Sequence, residues 1–251
     1  MSAKFLHNTL LLIIMMITIA VQGQQAGSEK PEVDPYAKFI DAKKLALTGQ
    51  TEKAITAFEA IYKSDRLNDA VAFELAKLYE AKGDVLLSRK YIESALRNSP
   101  QNIYYNDFYT SFLFKTEEFE KVEAPLEILL TKYPDDLRYL DMGIDAAISL
   151  KNKKLGEAYL ARLIQQYGKS EKALTRIFEY YDQTKDPRAE ASLLEITDRF
   201  STNKSYLKML ASWYAKENKR DKSIEAYRKV LQLDPNDTDA NLVVLETSNK
   251  T

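Results

Sequence analysis

A spacing pattern that recurs about every 34 residues constrains the fold of this chain more than any other feature. In each copy, a small or apolar residue is followed by further small or apolar residues three, twelve, sixteen and nineteen positions later. In the second and sixth copies these residues are Ala76, Tyr79, Ser88, Ile92, Ala95, Ala211, Tyr214, Ser223, Tyr227 and Val230. The step between copies is constant, except that the step from the fourth copy to the fifth is shorter by a single residue. The pattern predicts a repeat protein.

The spacing within each copy predicts two helices separated by a turn. Intervals of three and four place residues on one side of a helix, and the longer interval leaves room for a turn. Gly49 and Gly83 mark two of these turns, because glycine adopts the left-handed backbone that ends many helices. In the fifth copy, Asp186 and Pro187 predict an N-cap followed by a proline in the first turn. Glycine and proline are scarce, at seven each, which also favours helices over a turn-rich β fold.

The repeats resemble the tetratricopeptide repeat (TPR) most closely in residues 69–102, which run from DAVAFELAKLYEAKGD to ALRNSPQN, and in residues 207–237, which end in EAYRKVLQLDPND. The resemblance extends over residues 35–237, most of the chain. It implies an all-α fold, a right-handed α-solenoid of about six TPR helix-turn-helix repeats. The predicted repeats are residues 35–68, 69–102, 103–136, 137–169, 170–203 and 204–237.

Two repeats depart from the pattern, and the last segment is incomplete. Pro125 falls within the second helix of the third repeat and predicts a kink there. The fourth repeat has Gly156 where most copies have a small residue with a side chain. Residues 238–251 are predicted to form either a C-terminal capping helix or the start of a seventh repeat. That the chain is a fragment of a longer protein remains an open alternative.

The N-terminal residues 1–23 are predicted to be a cleavable signal peptide. Lys4 precedes an apolar run over residues 10–21, which is long enough for a signal peptide but short for a membrane span of about 20 residues. Cleavage is expected before Gln24, with an uncleaved anchor as the alternative interpretation. The glutamine-rich segment that follows resembles signal peptides of the Bacteroidetes group, and residues 24–34 are predicted to be a flexible lead-in. The expected location is the periplasm or another exported compartment.

The composition argues against most catalytic chemistry. The chain has no cysteine, and its single histidine, His7, lies in the predicted signal peptide. The mature chain would therefore lack the usual zinc, copper and haem ligands, Ser-His and Cys-His catalytic pairs, and the cysteine that anchors a lipoprotein. Lysine and arginine (36) nearly balance aspartate and glutamate (37), which argues against a general nucleic-acid binder. No enzymatic activity, cofactor or metal is expected.

The resemblance implies that the first helices of the repeats line a concave groove that holds a partner. In each repeat, the positions three before, one after and four after the small residue of the first helix should face this groove. The predicted partner-binding residues are Phe39, Lys43, Phe73, Lys77, Asp107, Asp141, Asp145, Phe178 and Tyr181. The three aspartates predict negative potential in the middle, between aromatic ends. Packing within the stack is the alternative interpretation for the aromatic residues, and an ordinary solvated surface is the alternative for the aspartates.

These features predict a non-catalytic protein-protein interaction scaffold of the bacterial cell envelope, which binds a peptide or helix of a partner protein in the groove. One alternative is the helical region of a larger peptidoglycan-cleaving envelope enzyme whose catalytic domain lies beyond Thr251. Another is a glycan-binding uptake component. The clamp of Lys, Asn and Arg residues with which some TPR proteins bind C-terminal carboxylates is not matched, because Phe39 occupies the position of its first lysine.

Overall fold

A computed structural model describes residues 34–248, which form thirteen α-helices and one short 3-10 helix at Phe119–Lys121, without any strand. The helices are α1 Pro35–Leu47, α2 Thr51–Ser64, α3 Asp69–Ala81, α4 Val85–Asn98, α5 Ile103–Lys115, α6 Glu123–Lys132, α7 Leu137–Ser149, α8 Lys153–Tyr167, α9 Glu171–Gln183, α10 Ala189–Arg199, α11 Lys204–Lys216, α12 Arg220–Leu233 and α13 Thr238–Ser248. Helices α1 to α12 form six consecutive pairs and α13 follows as a single helix. The predicted all-α fold of helix-turn-helix repeats is confirmed.

The chain divides into two compact units, Met1–Ser99 and Pro100–Thr251. The first unit contains α1 to α4, and the second contains α5 to α13. None of these described helices is long and apolar enough to cross a membrane. The predicted signal peptide at residues 1–23 and nearly all of the predicted lead-in lie outside the described residues.

A polar side chain caps the N-terminus of the first helix in every repeat, and of α13. The capping residues are Asp34, Asn68, Asn102, Asp136, Ser170, Asn203 and Asp237. Each side-chain oxygen accepts a hydrogen bond from a backbone N–H two or three residues further along. The bond satisfies one of the N–H groups that a helix leaves free at its start, so every repeat begins at a defined residue.

The two helices of a pair approach closely at small residues. In the first unit, the buried Ser88 hydroxyl on α4 donates a hydrogen bond to the carbonyl oxygen of Ala76 on α3, at 3.0 Å. In the second unit, Ser223 on α12 makes the equivalent bond to Ala211 on α11, at 2.8 Å. A longer side chain at either position would separate the helices, which explains why the sequence pattern requires small residues there.

The turn between the two helices of each pair has one residue in the left-handed conformation, with φ between 51° and 77°. These residues are Gly49, Gly83, Glu117, Lys151, Lys185 and Asn218. Each donates its N–H to the carbonyl three residues earlier, and the next residue donates to the carbonyl five residues earlier, as in a Schellman motif. Only two of the six are glycine, so the other four repeats keep the turn at a cost of about 1–2 kcal/mol each.

The first helix of the fifth repeat has a different register from the predicted one. Its cap Ser170 and its turn residue Lys185 each follow their counterparts in the fourth repeat, Asp136 and Lys151, by the full repeat length. The missing residue therefore lies between Lys185 and Ala189, in the turn. Consequently Phe178, rather than Ile177, occupies the position of the small residue in this helix.

The places of Pro187 and Pro125 in the structure also differ from those that the sequence predicts. Asp186 accepts a hydrogen bond from the N–H of Arg188 at 3.0 Å, and helix α10 begins only at Ala189. Pro187 therefore precedes the helix instead of standing in its first turn. In the third repeat, Pro125 is the third residue of α6, where a helix does not need its N–H, and the 3-10 helix Phe119–Lys121 precedes this late start.

The turn geometry predicts opposite effects for two substitutions. Replacing Glu117 by glycine should raise the free energy of unfolding by about 1 kcal/mol, because glycine adopts φ > 0 without steric cost. Replacing Gly83 by alanine should lower it by a similar amount, about 1 kcal/mol. Urea unfolding followed by circular dichroism measures both changes. A Glu117→Gly variant less stable than the parent would contradict the observed turn.

Gly156 is expected to be intolerant of any side chain. A Cβ atom at this position on α8 would overlap the ring of Tyr180 on α9, which is buried. The Gly156→Ala variant should therefore lose about 1–3 kcal/mol of stability. In a thermal-unfolding double-mutant cycle, the loss should shrink when Tyr180 is replaced by leucine. Additive effects of the two substitutions would count against the overlap.

Candidate partner-binding face

The predicted residues of the first unit form a charged cluster where α1 and α3 lie side by side. Lys43 Nζ lies 2.6 Å from Glu74 Oε1, and Lys77 Nζ lies 2.8 Å from the same oxygen. The Lys77 ammonium also lies 4.6 Å from the centre of the Phe73 ring, a cation–π contact. Glu74, which the sequence analysis did not single out, therefore holds the two predicted lysines together.

Phe39, the remaining predicted residue of the first unit, is half-buried on α1. Its ring packs edge-on against the buried ring of Phe58 on α2, with 5.4 Å between ring centres. Part of this side chain thus belongs to the helix pair, and the rest is exposed.

Asp107 on α5 contacts two residues of α7 in the second unit. Arg138 Nη1 lies 2.9 Å from Asp107 Oδ1, and the Tyr139 hydroxyl donates a hydrogen bond to the same oxygen at 3.0 Å. The Arg138 guanidinium also lies over the Tyr139 ring, 4.3 Å from its centre. Burial, helped by the hydrogen bond to Asp107, raises the pKa of Tyr139 to about 12, so its hydroxyl remains a donor at neutral pH.

Asp141 and Asp145, on α7, both contact Arg176 on α9. Arg176 Nε donates to Asp141 Oδ1 at 3.1 Å, and Arg176 Nη2 pairs with Asp145. The arginine side chain is only 13% exposed, whereas the carboxylates are 37% and 52% exposed. Burial raises the pKa of Asp141, and the charge of Arg176 opposes this rise. The negative potential predicted here is thus offset by arginines on the neighbouring helices.

Phe178 and Tyr181, at the other predicted aromatic end, are in different surroundings. Phe178 is only 7% exposed and packs edge-on against Trp213, at 6.5 Å between ring centres. The register of α9 explains its burial, since Phe178 occupies the small-residue position between the helices. Tyr181 is half-buried, and the Arg188 guanidinium lies over its ring at 4.2 Å from the centre. The partner-binding roles of both residues stay predictions.

Four ion pairs between successive first helices join residues that are 31 positions apart, whereas Asp141–Arg176 and Asp182–Lys216 span 35 and 34 positions. The four pairs are Lys43–Glu74, Asp107–Arg138, Asp145–Arg176 and Lys208–Asp239. In two of them the cation comes first in the chain, and in the other two the anion comes first. Opposite charges at this separation are visible in the sequence, so this signal could have identified the partners of the predicted residues.

In each unit, the exposed side of the first helices, which we call the first-helix face, combines these ion pairs with half-buried rings and short side chains. Ser111, Ser212 and Ala215, at positions predicted to face the groove, are exposed. Within residues 34–248, no group of three or more histidine, cysteine, aspartate or glutamate side chains is placed to hold a metal ion. The face therefore offers hydrogen bonding, aromatic contact and paired charge to another molecule.

Comparison with known proteins identifies the repeats. Models of the tetratricopeptide repeat match residues 48–103 and 205–237. These two segments of the chain are tetratricopeptide repeats. The fold is similar to that of a tetratricopeptide repeat protein from Parabacteroides merdae ATCC 43184, with 14% identity, 84% of this chain and 97% of that chain covered, and a TM-score of 0.54. It is also similar to MamA MSR-1 C2, with 16% identity, 66% and 94% covered, and a TM-score of 0.52. No curated protein matches the sequence.

The Arg176 cluster predicts a pH-dependent loss of stability. Replacing Arg176 by methionine removes the cation that opposes the raised pKa of Asp141, so this pKa should rise further. An acid whose folded-state pKa is raised loses its stabilising contribution as pH rises through that pKa. The variant should therefore be nearly as stable as the parent at pH 4 and less stable than the parent at pH 7. Because the carboxylates are partly exposed, the loss of stability at pH 7 should be only about 1 kcal/mol.

The control for this measurement is the double variant Arg176→Met with Asp141→Asn, which has no carboxylate at position 141. Urea unfolding at pH 4 and pH 7 should show a smaller pH-dependent difference from the parent in the double variant. Equal losses at both pH values would mean that Arg176 stabilises the fold through packing alone.

Proposed function

We propose that this chain is a non-catalytic protein-protein interaction scaffold, exported to the bacterial cell envelope, that holds a peptide or helix of a partner protein on the first-helix face. The observation that carries the proposal is the series of tetratricopeptide repeats. Within each unit, the first helices are linked side by side through ion pairs and supply a preorganised face of rings and short side chains. A rigid face lowers the entropy cost of binding a partner.

The charge pattern of this face supports a particular division of roles. Arg138 and Arg176 already offset the charges of the three aspartates that were predicted to bind a partner, Asp107, Asp141 and Asp145. A basic partner segment would compete with these arginines, so charge should chiefly affect the rate of association and its salt dependence. Apolar side chains of the partner packing against half-buried rings would then supply most of the affinity.

Two features of the sequence support the non-catalytic role and the location. The only histidine is His7, and the chain has no cysteine, so the common nucleophile and base pairs are missing from residues 24–251. The apolar run over residues 10–21, followed by a polar segment, supports export. The absence of cysteine supports a protein that is not lipid-anchored through an N-terminal thioether.

Site-specific photo-crosslinking in envelope fractions tests the proposal. A photoreactive residue in place of Ser111, Ser212 or Ala215, exposed on the first helices, should produce a crosslinked band with a single partner protein. The same residue in place of Ala161 or Ala191, exposed on the second helices α8 and α10, should not. Mass spectrometry identifies the partner, and the mature N-terminus should be Gln24.

The outcomes separate the two halves of the proposal. Crosslinks from Ala161 and Ala191 alone would assign the binding to the second helices. An intact N-terminus in the membrane fraction would contradict export of a cleaved protein. Neither result would depend on the other.

A further inference from the structure

A cavity of about 550 Å³ lies within the second unit, at the turns of the fourth and fifth repeats. Its lining combines two apolar side chains, Ile148 and Pro187, with three lysines, Lys151, Lys153 and Lys185. Ile148 lies near the end of α7 at a position predicted to face the groove, so the cavity adjoins the first-helix face. A cavity with both apolar and cationic walls suits a ligand that carries both kinds of group.

The one carboxylate in the lining, Asp186, does not cancel the charge of the lysines. Its side chain is 5% exposed and is held by Lys153 Nζ at 2.9 Å and by Arg188 Nε at 2.8 Å. These contacts hold the pKa of Asp186 well below its usual range, and two cations already share its charge. Lys153 thus has an internal partner, whereas Lys151 and Lys185 account for the excess positive charge.

Lys151 and Lys185 are poorly neutralised. No carboxylate within residues 34–248 lies at ion-pair distance from Lys151. Lys185 Nζ lies 3.9 Å from Asp182, at the limit of an ion pair, and Asp182 also binds Lys216 Nζ at 3.0 Å and the Trp213 indole N–H at 2.9 Å. The two ammonium groups are therefore available to an anion in the cavity.

Both lysines occupy the left-handed turn position that glycine occupies in the first unit, at Gly49 and Gly83. Lysine is strained at this position, and nothing in the turn itself requires a long cationic side chain. Backbone strain of this kind is often retained where the side chain serves binding. All four repeats of the second unit keep a residue with a side chain at this position, and two of these residues, Lys151 and Lys185, line the same cavity.

We propose that this cavity binds an acidic peptide segment of the partner protein, with its carboxylates on Lys151 and Lys185 and an apolar side chain against Ile148 and Pro187. The choice of a polypeptide rests on the proposed function. The apolar walls favour a peptide over inorganic phosphate, which has nothing to place against them. The Arg188 guanidinium, which would suit a phosphate, is already paired with Asp186 and Glu157.

Peptide binding to the whole chain tests this inference. The probe is a short labelled peptide of alternating glutamate and leucine, acetylated and amidated at its ends, and its match has glutamine in place of glutamate. We expect saturable binding of the glutamate peptide below about 1 mM, weakened by salt, and at least about tenfold weaker binding of the glutamine peptide. A third peptide, with glutamine side chains and a free C-terminal carboxylate, shows whether the terminal carboxylate is the group that binds.

The variant that decides the question is Lys151→Gly with Lys185→Gly. It removes two ammonium groups and also relieves two strained turns, so its melting temperature should equal or exceed that of the parent. Its Kd for the glutamate peptide should rise by about tenfold. The matched control, Glu117→Gly with Asn218→Gly, changes the same turn position in two repeats whose turns do not line the cavity, and should bind as the parent does.

Three results would overturn the inference: no saturable binding of either carboxylate-bearing peptide, equal binding by the parent and the lysine variant, or equal binding of the glutamate peptide and its glutamine match. Displacement of the peptide by inorganic phosphate at equal concentration would also overturn it, in favour of a general anion site. Photo-crosslinks from the first-helix face would survive each of these results, so failure here is distinguishable from failure of the proposed function.

Discussion

The left-handed turn between the two helices of each repeat is the constraint on which the rest of the structure depends. It ends the first helix with a Schellman-type pair of backbone hydrogen bonds and reverses the chain within about four residues. The second helix then lies against the first, and small residues such as Ala76 and Ser88 meet at the crossing. Four repeats keep this turn without glycine, although a left-handed residue with a side chain is strained. The free energy gained when the two helices pack together outweighs that strain.

The contacts between neighbouring first helices have a second consequence, for binding. Charged side chains that look available in the sequence are mostly paired, as Asp145 is with Arg176 and Lys43 is with Glu74. These pairs are partly exposed, so each contributes little to stability, but together they hold side chains in place. The proposed partner would therefore meet a face whose charges are largely balanced. Specificity on such a face would come from rings and from the few cations that lack a close partner.

The left-handed turn residues differ between the two units, so only some turns present a side chain that can contact a ligand. In the first unit the left-handed residues are Gly49 and Gly83, which present no side chain at the turn. In the second unit Lys151 and Lys185 occupy the same position and line a cavity with apolar walls. The element that shapes each repeat can thus also carry a binding group. The rigid turn fixes the backbone that carries the lysine, so only the side-chain rotamers need to be ordered on binding.

The sequence by itself determined the repeat length, the helix pairs, the small residues at their crossings and therefore the fold class. These features are local, since a stripe of residues three and four apart identifies a helix without knowledge of its neighbours. Only the tertiary structure decided the register of the fifth repeat, because a one-residue deletion can be placed before or after a helix until its cap and its buried side are known. That register buries Phe178, which the spacing had assigned to the groove. The partners of Asp107, Asp141 and Asp145 likewise lie on the first helix of the following repeat. Such contacts depend on how helices pack side by side, which the periodicity within one helix does not show, and the spacing of opposite charges in the sequence gains its meaning only from that packing.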